Sequence, residues 1–115
     1  MTVHVKRIYE DSAKSDGKRV LVDGVWPRGV SKEDAKLDEW LKEIAPSKDL
    51  RQWFDHDPDK FDSFKKKYKE ELKDNEDQKE AYSELQKLIQ KHDVTLLTAT
   101  KEEKYNHAQV LKSLL

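Results

Sequence analysis

The chain has 115 residues, enough for one domain with a single modest core. Lys+Arg 23 against Asp+Glu 24 leave a formal charge of -1, so no bulk field draws the protein to nucleic acid or an anionic membrane. Cysteine is absent, which excludes disulfides, thiolate nucleophiles and cysteine-ligated metal or cluster sites; 41% of residues are charged, yet 3 Trp, 3 Phe and 4 Tyr argue for a packed core rather than disorder.

No apolar run approaches the roughly 20 residues that a membrane helix needs, and Met1 to Arg7 carry neither a signal-peptide core nor a twin-arginine pattern. The expectation is a cytoplasmic protein with no membrane partner.

The run Val3-His4-Val5-Lys6-Arg7-Ile8-Tyr9 partly alternates, as a half-exposed strand does, and Arg19-Val20-Leu21-Val22-Asp23 reads as a strand buried on both faces. The polar stretch between them contains the turn-favouring pair Asp16-Gly17 and is short for a helical crossover, so the two strands are expected as antiparallel neighbours. A loop with Gly24, Trp26, Pro27 and Gly29 follows. Ser31 then caps a helix whose apolar stripe is Leu37, Trp40, Leu41 and Ile44, stopped by Pro46. Ser47 caps a second helix with Leu50, Trp53 and Phe54. Asp57-Pro58 opens a third, with Phe61, Phe64, Tyr68 and Leu72 along one face and Asn75 at its end. A fourth turns Tyr82, Leu85, Leu88 and Ile89 inward. Val94 to Ala99 reads as a third strand, and Val110, Leu111, Leu114 and Leu115 continue at helical spacing. This order predicts a single α/β domain over residues 1–115: a small, mostly parallel sheet of about three strands covered by several helices. The long excursion before the last strand suits a parallel crossover.

In such a sheet, ligands gather at the carboxyl ends of the strands. Two strand-end loops, residues 23–31 and 98–107, are rich in functional groups, and a shared cleft would bring together Asp23, Trp26, Arg28, Lys101, Asn106 and His107. Arg28 suits a carboxylate or phosphate beside the helix expected after Ser31; pairing with Asp23 or stacking on Trp26 is its structural alternative. Trp26 is either an apolar wall or a packing residue. His107 is the acid/base candidate by residue type, with Asp23 as the other group that could move a proton, although a histidine at a helix start also simply packs. Asn106 can donate to an oxyanion or orient the imidazole, and Lys101 can supply a cation or lie solvated on the surface.

Other motifs fail on their own chemistry. Gly24 and Gly29 have phosphate-loop spacing, but Val30 stands where that loop needs lysine, and Pro27 removes a backbone donor. A metal triad of His56, His107 and a carboxylate lacks supporting spacing, and no motif calls for a metal or cofactor. Lys65-Lys66-Lys67 is answered by Glu70 and Glu71 at helical spacing, so a solvated face explains it and nucleic-acid binding is unsupported.

The segments Val5 to Glu10, Arg19 to Asp23, Trp26 to Lys32, Leu37 to Leu41, Ala45 to Ser47, His56 to Pro58 and Asn106 to Ala108 together closely resemble the bacterial YeaO-like family of unknown function, over nearly the whole chain. The resemblance implies a small cytoplasmic α/β domain and carries over Asp23, Arg28, Asn106 and His107. Gly24, Thr98 and Tyr105 depart from it, standing where the family pattern usually holds arginine, tyrosine and histidine.

Two functional readings follow. In one, an anionic small molecule, phosphorylated or nucleotide-like, is held by Arg28 and Lys101 against Trp26, with Asp23 or His107 moving a proton if turnover occurs. In the other, the domain is a non-enzymatic regulatory or interaction module for protein or nucleic acid, its pocket packed and Asp23 paired with Arg28. A third and plainer reading gives the loop a purely stabilising role.

Overall fold

The β-branched and aliphatic runs become a sheet, and the amphipathic stretches between them become its cover. The computed structural model describes residues 2–115. Its strands are β1 (Val3–Arg7), β2 (Lys18–Leu21), β3 (Glu39–Trp40) and β4 (Val94–Thr98), in the spatial order β1-β4-β2-β3 and parallel throughout. The helices are α1 (Lys32–Ala35), α2 (Lys48–Phe54), α3 (Phe61–Asp74), α4 (Glu76–Lys91) and α5 (His107–Leu114). No helix among the described residues is long and apolar enough to cross a membrane.

Two local expectations are corrected. β1 and β2 are neither antiparallel nor neighbours: β4 lies between them, its Leu96 opposite Val5 on one side and Val20 on the other. The intervening residues return to the starting end of the sheet, where Gly17, at φ 65° and ψ -134°, turns the chain into β2. The second correction concerns the helix expected to run on to Ile44. Ser31 does cap it, accepting from the Asp34 N–H at 3.0 Å. It ends at Ala35, because Lys36 takes a left-handed conformation with φ 49°. The chain then forms β3, which becomes the fourth strand, with the Leu41 N–H donating to the Leu21 carbonyl at 3.0 Å. Leu41 and Ile44 are still buried, since strand followed by a short 3-10 turn over Lys42–Ile44 serves the same apolar spacing.

Strand side chains alternate between two clusters of unequal size. Val20, Val94 and Leu96 face a large core built from α2, α3, α4 and α5, with Phe64, Tyr68, Leu72, Leu85 and Leu111 at its centre. Its helices are set by their caps: Ser47 accepts from the Leu50 N–H, Asn75 closes α3 and accepts from the Gln78 N–H to open α4, and Asn106 starts α5. Trp53 is turned outward, 38% exposed, between the ammonium groups of Lys60 and Lys67. On the opposite face, Leu21 and Leu97 meet only Ile8, Ala35 and the loop around α1. That smaller side also holds a buried ion network. The Asp16 carboxylate takes Arg19 and Lys6, and the Arg19 Nη2 donates to the Ala35 carbonyl at 3.0 Å, capping the carboxyl end of α1.

Candidate functional site

The ladders run out at the carboxyl ends of β2 and β4, and Asp23, two residues past β2, fills the gap between them. Its Oδ1 accepts from the Thr98 hydroxyl at 2.7 Å and its Oδ2 from the Ala99 N–H at 2.8 Å. Its backbone carbonyl accepts from the Trp40 indole at 2.7 Å, which ties in β3. Asp23 is thus a staple joining three strands.

His107, the first residue of α5, completes the arrangement. Its Nε2 lies 3.1 Å from the Asp23 Oδ1 and 3.1 Å from the Val22 carbonyl. Two acceptors on one nitrogen make Nε2–H the donor, so the neutral ring keeps its lone pair on Nδ1. Burial, the largest influence on Asp23, pushes its carboxyl up; the His107 hydrogen bond and charge, the Ala99 N–H and the Thr98 hydroxyl outweigh it and hold the group below the ordinary aspartate value. A carboxylate orienting an imidazole is a pairing suited to acid/base chemistry. Beside it, the Thr98 hydroxyl donates to Asp23 and the Thr100 hydroxyl accepts from the Glu102 N–H at 3.2 Å.

An open cleft of about 470 Å³ lies over this dyad. Asp23, Trp26, Arg28, Asn106 and His107 all line it, from the two strand-end loops. Lys101 does not line it; it is an exposed residue of the second loop. Asn106 is buried; its Oδ1 accepts from the Gln109 N–H at 2.9 Å and its Nδ2 donates one of its two hydrogens to the Glu102 carbonyl at 2.6 Å. It shapes the cleft as a helix cap. The Trp26 indole donates to the Val30 carbonyl at 2.7 Å and meets Trp40 edge-to-face with centroids 5.4 Å apart, so it braces its loop while presenting an apolar surface.

Arg28 has neither of its two structural alternatives. Among the described residues its guanidinium has no ion-pair partner, since Asp23 pairs with His107 instead, and it stacks on no aromatic ring. Its backbone is pinned, with the Tyr9 hydroxyl donating to the Arg28 carbonyl at 3.0 Å. The helix expected to favour an anion beside it is only the four-residue α1, which is too short to contribute much field.

The lining also includes Tyr9, Arg51 and His56, which sequence reasoning missed as lining residues. Arg51 lies three positions before Phe54 on α2, so it shares the face on which Phe54 packs toward the cleft. That spacing is a signal the sequence carries, but only the docking of α2 beside the β2 loop turns it into proximity. His56 and His107 line the same cleft, yet no cluster of three or more ligating side chains suited to a metal occurs among the described residues.

Residues 2–115 match a protein family described as the inactive DUF488-N3 subclade. An uncharacterised protein of Mycobacterium tuberculosis is 47% identical over 113 residues, covering 98% of this chain and 92% of its own length. The Mycobacterium bovis counterpart gives the same figures, 47% over 113 residues. The uncharacterised Escherichia coli protein YeaO is 40% identical over 115 residues, spanning 100% of this chain and 97% of that protein. No solved structure matches this chain significantly. Full-length coverage by the family and by these relatives places the chain plainly: it belongs to the YeaO-like proteins of the inactive DUF488-N3 subclade.

Proposed function

We propose that this domain binds an anionic small molecule in the cleft over Asp23 and His107 and does not turn it over. The observation that carries the reading is Arg28: a guanidinium on a pinned loop, lining a cleft of about 470 Å³, with no ion-pair partner among the described residues. Structural arginines find carboxylates, and one left without them is suited to a ligand's. Trp26 and Pro27 supply an apolar wall beside it. Lys101 has no part in this site.

Binding without turnover is supported by how the polar groups are spent. Both Asp23 oxygens are engaged in stapling strands and holding His107, the Thr98 hydroxyl is turned to Asp23, and the family is described as inactive. The alternative of an interaction module calls for Asp23 and Arg28 to pair and close the pocket, whereas Asp23 pairs with His107 and the pocket is open. The reading carries with it a cytoplasmic location, where small anionic metabolites are made and retained.

Thermal shift with a panel of phosphate, sulfate, carboxylate and nucleotide anions tests it. A ligand at 100 times its Kd adds about 2.7 kcal/mol, roughly 10 °C in Tm for a domain of this size. Arg28→Ala should abolish that shift and leave the unliganded Tm within about 2 °C, as expected for an exposed side chain. The reading fails if no anion moves Tm, or if Arg28→Ala leaves the shift intact.

A further inference from the structure

A second pair of side chains reaches the same cleft from α2 and the turn behind it: the guanidinium of Arg51 and the imidazole of His56. The Arg51 guanidinium, like that of Arg28, has no ion-pair partner among the described residues. The turn is built against its own preferences. Asp55 and His56 both have positive φ, 45° and 53°, a conformation disfavoured for residues with a Cβ. It is held by the Asp55 N–H on the Arg51 carbonyl at 3.0 Å and the Asp57 N–H on the Phe54 carbonyl at 2.9 Å. The result seats the His56 ring 5.9 Å from that of Phe54, at the wall of the cleft. Consecutive left-handed residues at a cleft wall are a common mark of a binding turn.

The charge balance then restricts the ligand. Two fixed positive charges, Arg28 and Arg51, line a cleft whose single carboxylate, Asp23, has both oxygens engaged by Thr98, Ala99 and His107 and so pairs with neither guanidinium. A monoanion leaves one guanidinium unpaired, while a dianion satisfies both, and the planar fork of arginine suits phosphate oxygens. Trp26, Pro27, Phe54 and Phe64 make the rest of the wall apolar, and the volume of about 470 Å³ admits a ring as well as a phosphate.

We infer that the ligand is a phosphate monoester bearing a ring, its dianionic phosphate held by Arg28 and Arg51 with His56 as a further donor, and its ring against Trp26 and Phe54. This rests on the anion-binding reading above and narrows it.

Isothermal titration of the full chain with phenyl phosphate tests the inference, with benzoate (the same ring, one charge) and inorganic phosphate (no ring) as comparison probes. Phenyl phosphate should bind at least about tenfold more tightly than either, and Arg51→Ala should weaken it by about 10- to 100-fold, the range for hydrogen bonds to charged groups. Arg51→Lys should restore part of the loss, since it keeps the charge without the fork. His56→Gly should weaken binding several-fold while Tm holds or rises, because glycine relieves the positive φ; a purely structural His56 would leave affinity unchanged. Equal binding of benzoate and phenyl phosphate, or unchanged affinity in Arg51→Ala, overturns the inference while Arg28-dependent anion binding still stands. No heat from any of the three probes at millimolar concentration overturns both.

Discussion

Gly17 offers the sharpest test of the sheet itself. At φ 65° it turns the chain into β2, and a Cβ placed there would lie 2.1 Å from the Asp93 carbonyl oxygen and 2.6 Å from its carbon. Reaching even 3.0 Å requires that carbonyl to move by 0.9 Å. It cannot do so freely, because it accepts from the Lys18 N–H at 2.8 Å in the first bond between β2 and β4. Gly17→Ala therefore combines a glycine-only backbone conformation, about 1–3 kcal/mol, with a strand-end hydrogen bond lost to water, another 0.5–1.5 kcal/mol or so. We expect a loss of about 2–4 kcal/mol, some 8–16 °C in Tm for a domain of this size. Gly29→Ala is the control. Its φ of 77° is equally unusual, but nothing lies within 4 Å of the added Cβ, so only about 1–2 kcal/mol is at stake. Thermal unfolding followed by circular dichroism compares the two. Equal Tm losses would refute the reasoning, since they would mean that backbone strain alone decides and the contact with Asp93 does not.

Three further outcomes follow from the same geometry. Asp16 and Asp23 both sit below the ordinary aspartate value because, in each, the donors around the carboxylate outweigh the opposing effect of burial. The unfolded chain therefore binds more protons, so this stabilisation is complete above about pH 5 and is lost as pH falls through the folded values below about 4; urea midpoints measured from pH 7 to pH 3 should show a fall confined to the acidic end. Arg19→Met leaves the buried Asp16 with Lys6 as its one ion-pair partner beside the Ala13 N–H and uncaps the Ala35 carbonyl, a loss of about 3 kcal/mol or more, which Asp16→Asn in the same chain should partly recover. Asn106→Ala should cost about 1–2 kcal/mol by denaturant melts through loss of the α5 cap, while Asn106→Ser, which keeps a capping oxygen without setting a second oxygen against the Glu102 carbonyl, should cost less; equal losses would show that the cap is not what Asn106 contributes.

Much of this architecture is legible one segment at a time. β-branched runs mark β1, β2 and β4, Ser31, Ser47 and Asp57 mark helix or 3-10 starts where they were expected, and Asn75 ends α3 where it was expected to. What escapes local reading is whatever depends on partners distant in sequence. Leu37, Trp40, Leu41 and Ile44 keep a spacing of three and four in either conformation, so only the left-handed Lys36 and the pairing of Leu41 with Leu21 decide for β3. The insertion of β4 between β1 and β2 is likewise invisible before the last strand is placed. At the site, strand-end topology anticipates the meeting of Asp23 and His107, but not that Asp23 would spend both oxygens on Thr98 and Ala99, nor that Lys101 would stay outside. Arg51 reads as one more charge in a chain that is 41% charged until α2 docks.

The uneven cover of the sheet has a dynamic consequence. Four helices bury one face, whereas the other relies on a single turn of helix and its flanking loop. Local opening begins where the fewest apolar contacts resist it, so amides of residues 24–37 should exchange with solvent deuterium ahead of those in β4. The same stretch carries Trp26 and Arg28, and ordering of the guest's phosphate end would slow that exchange, giving occupancy a signature far cheaper to record than a crystal.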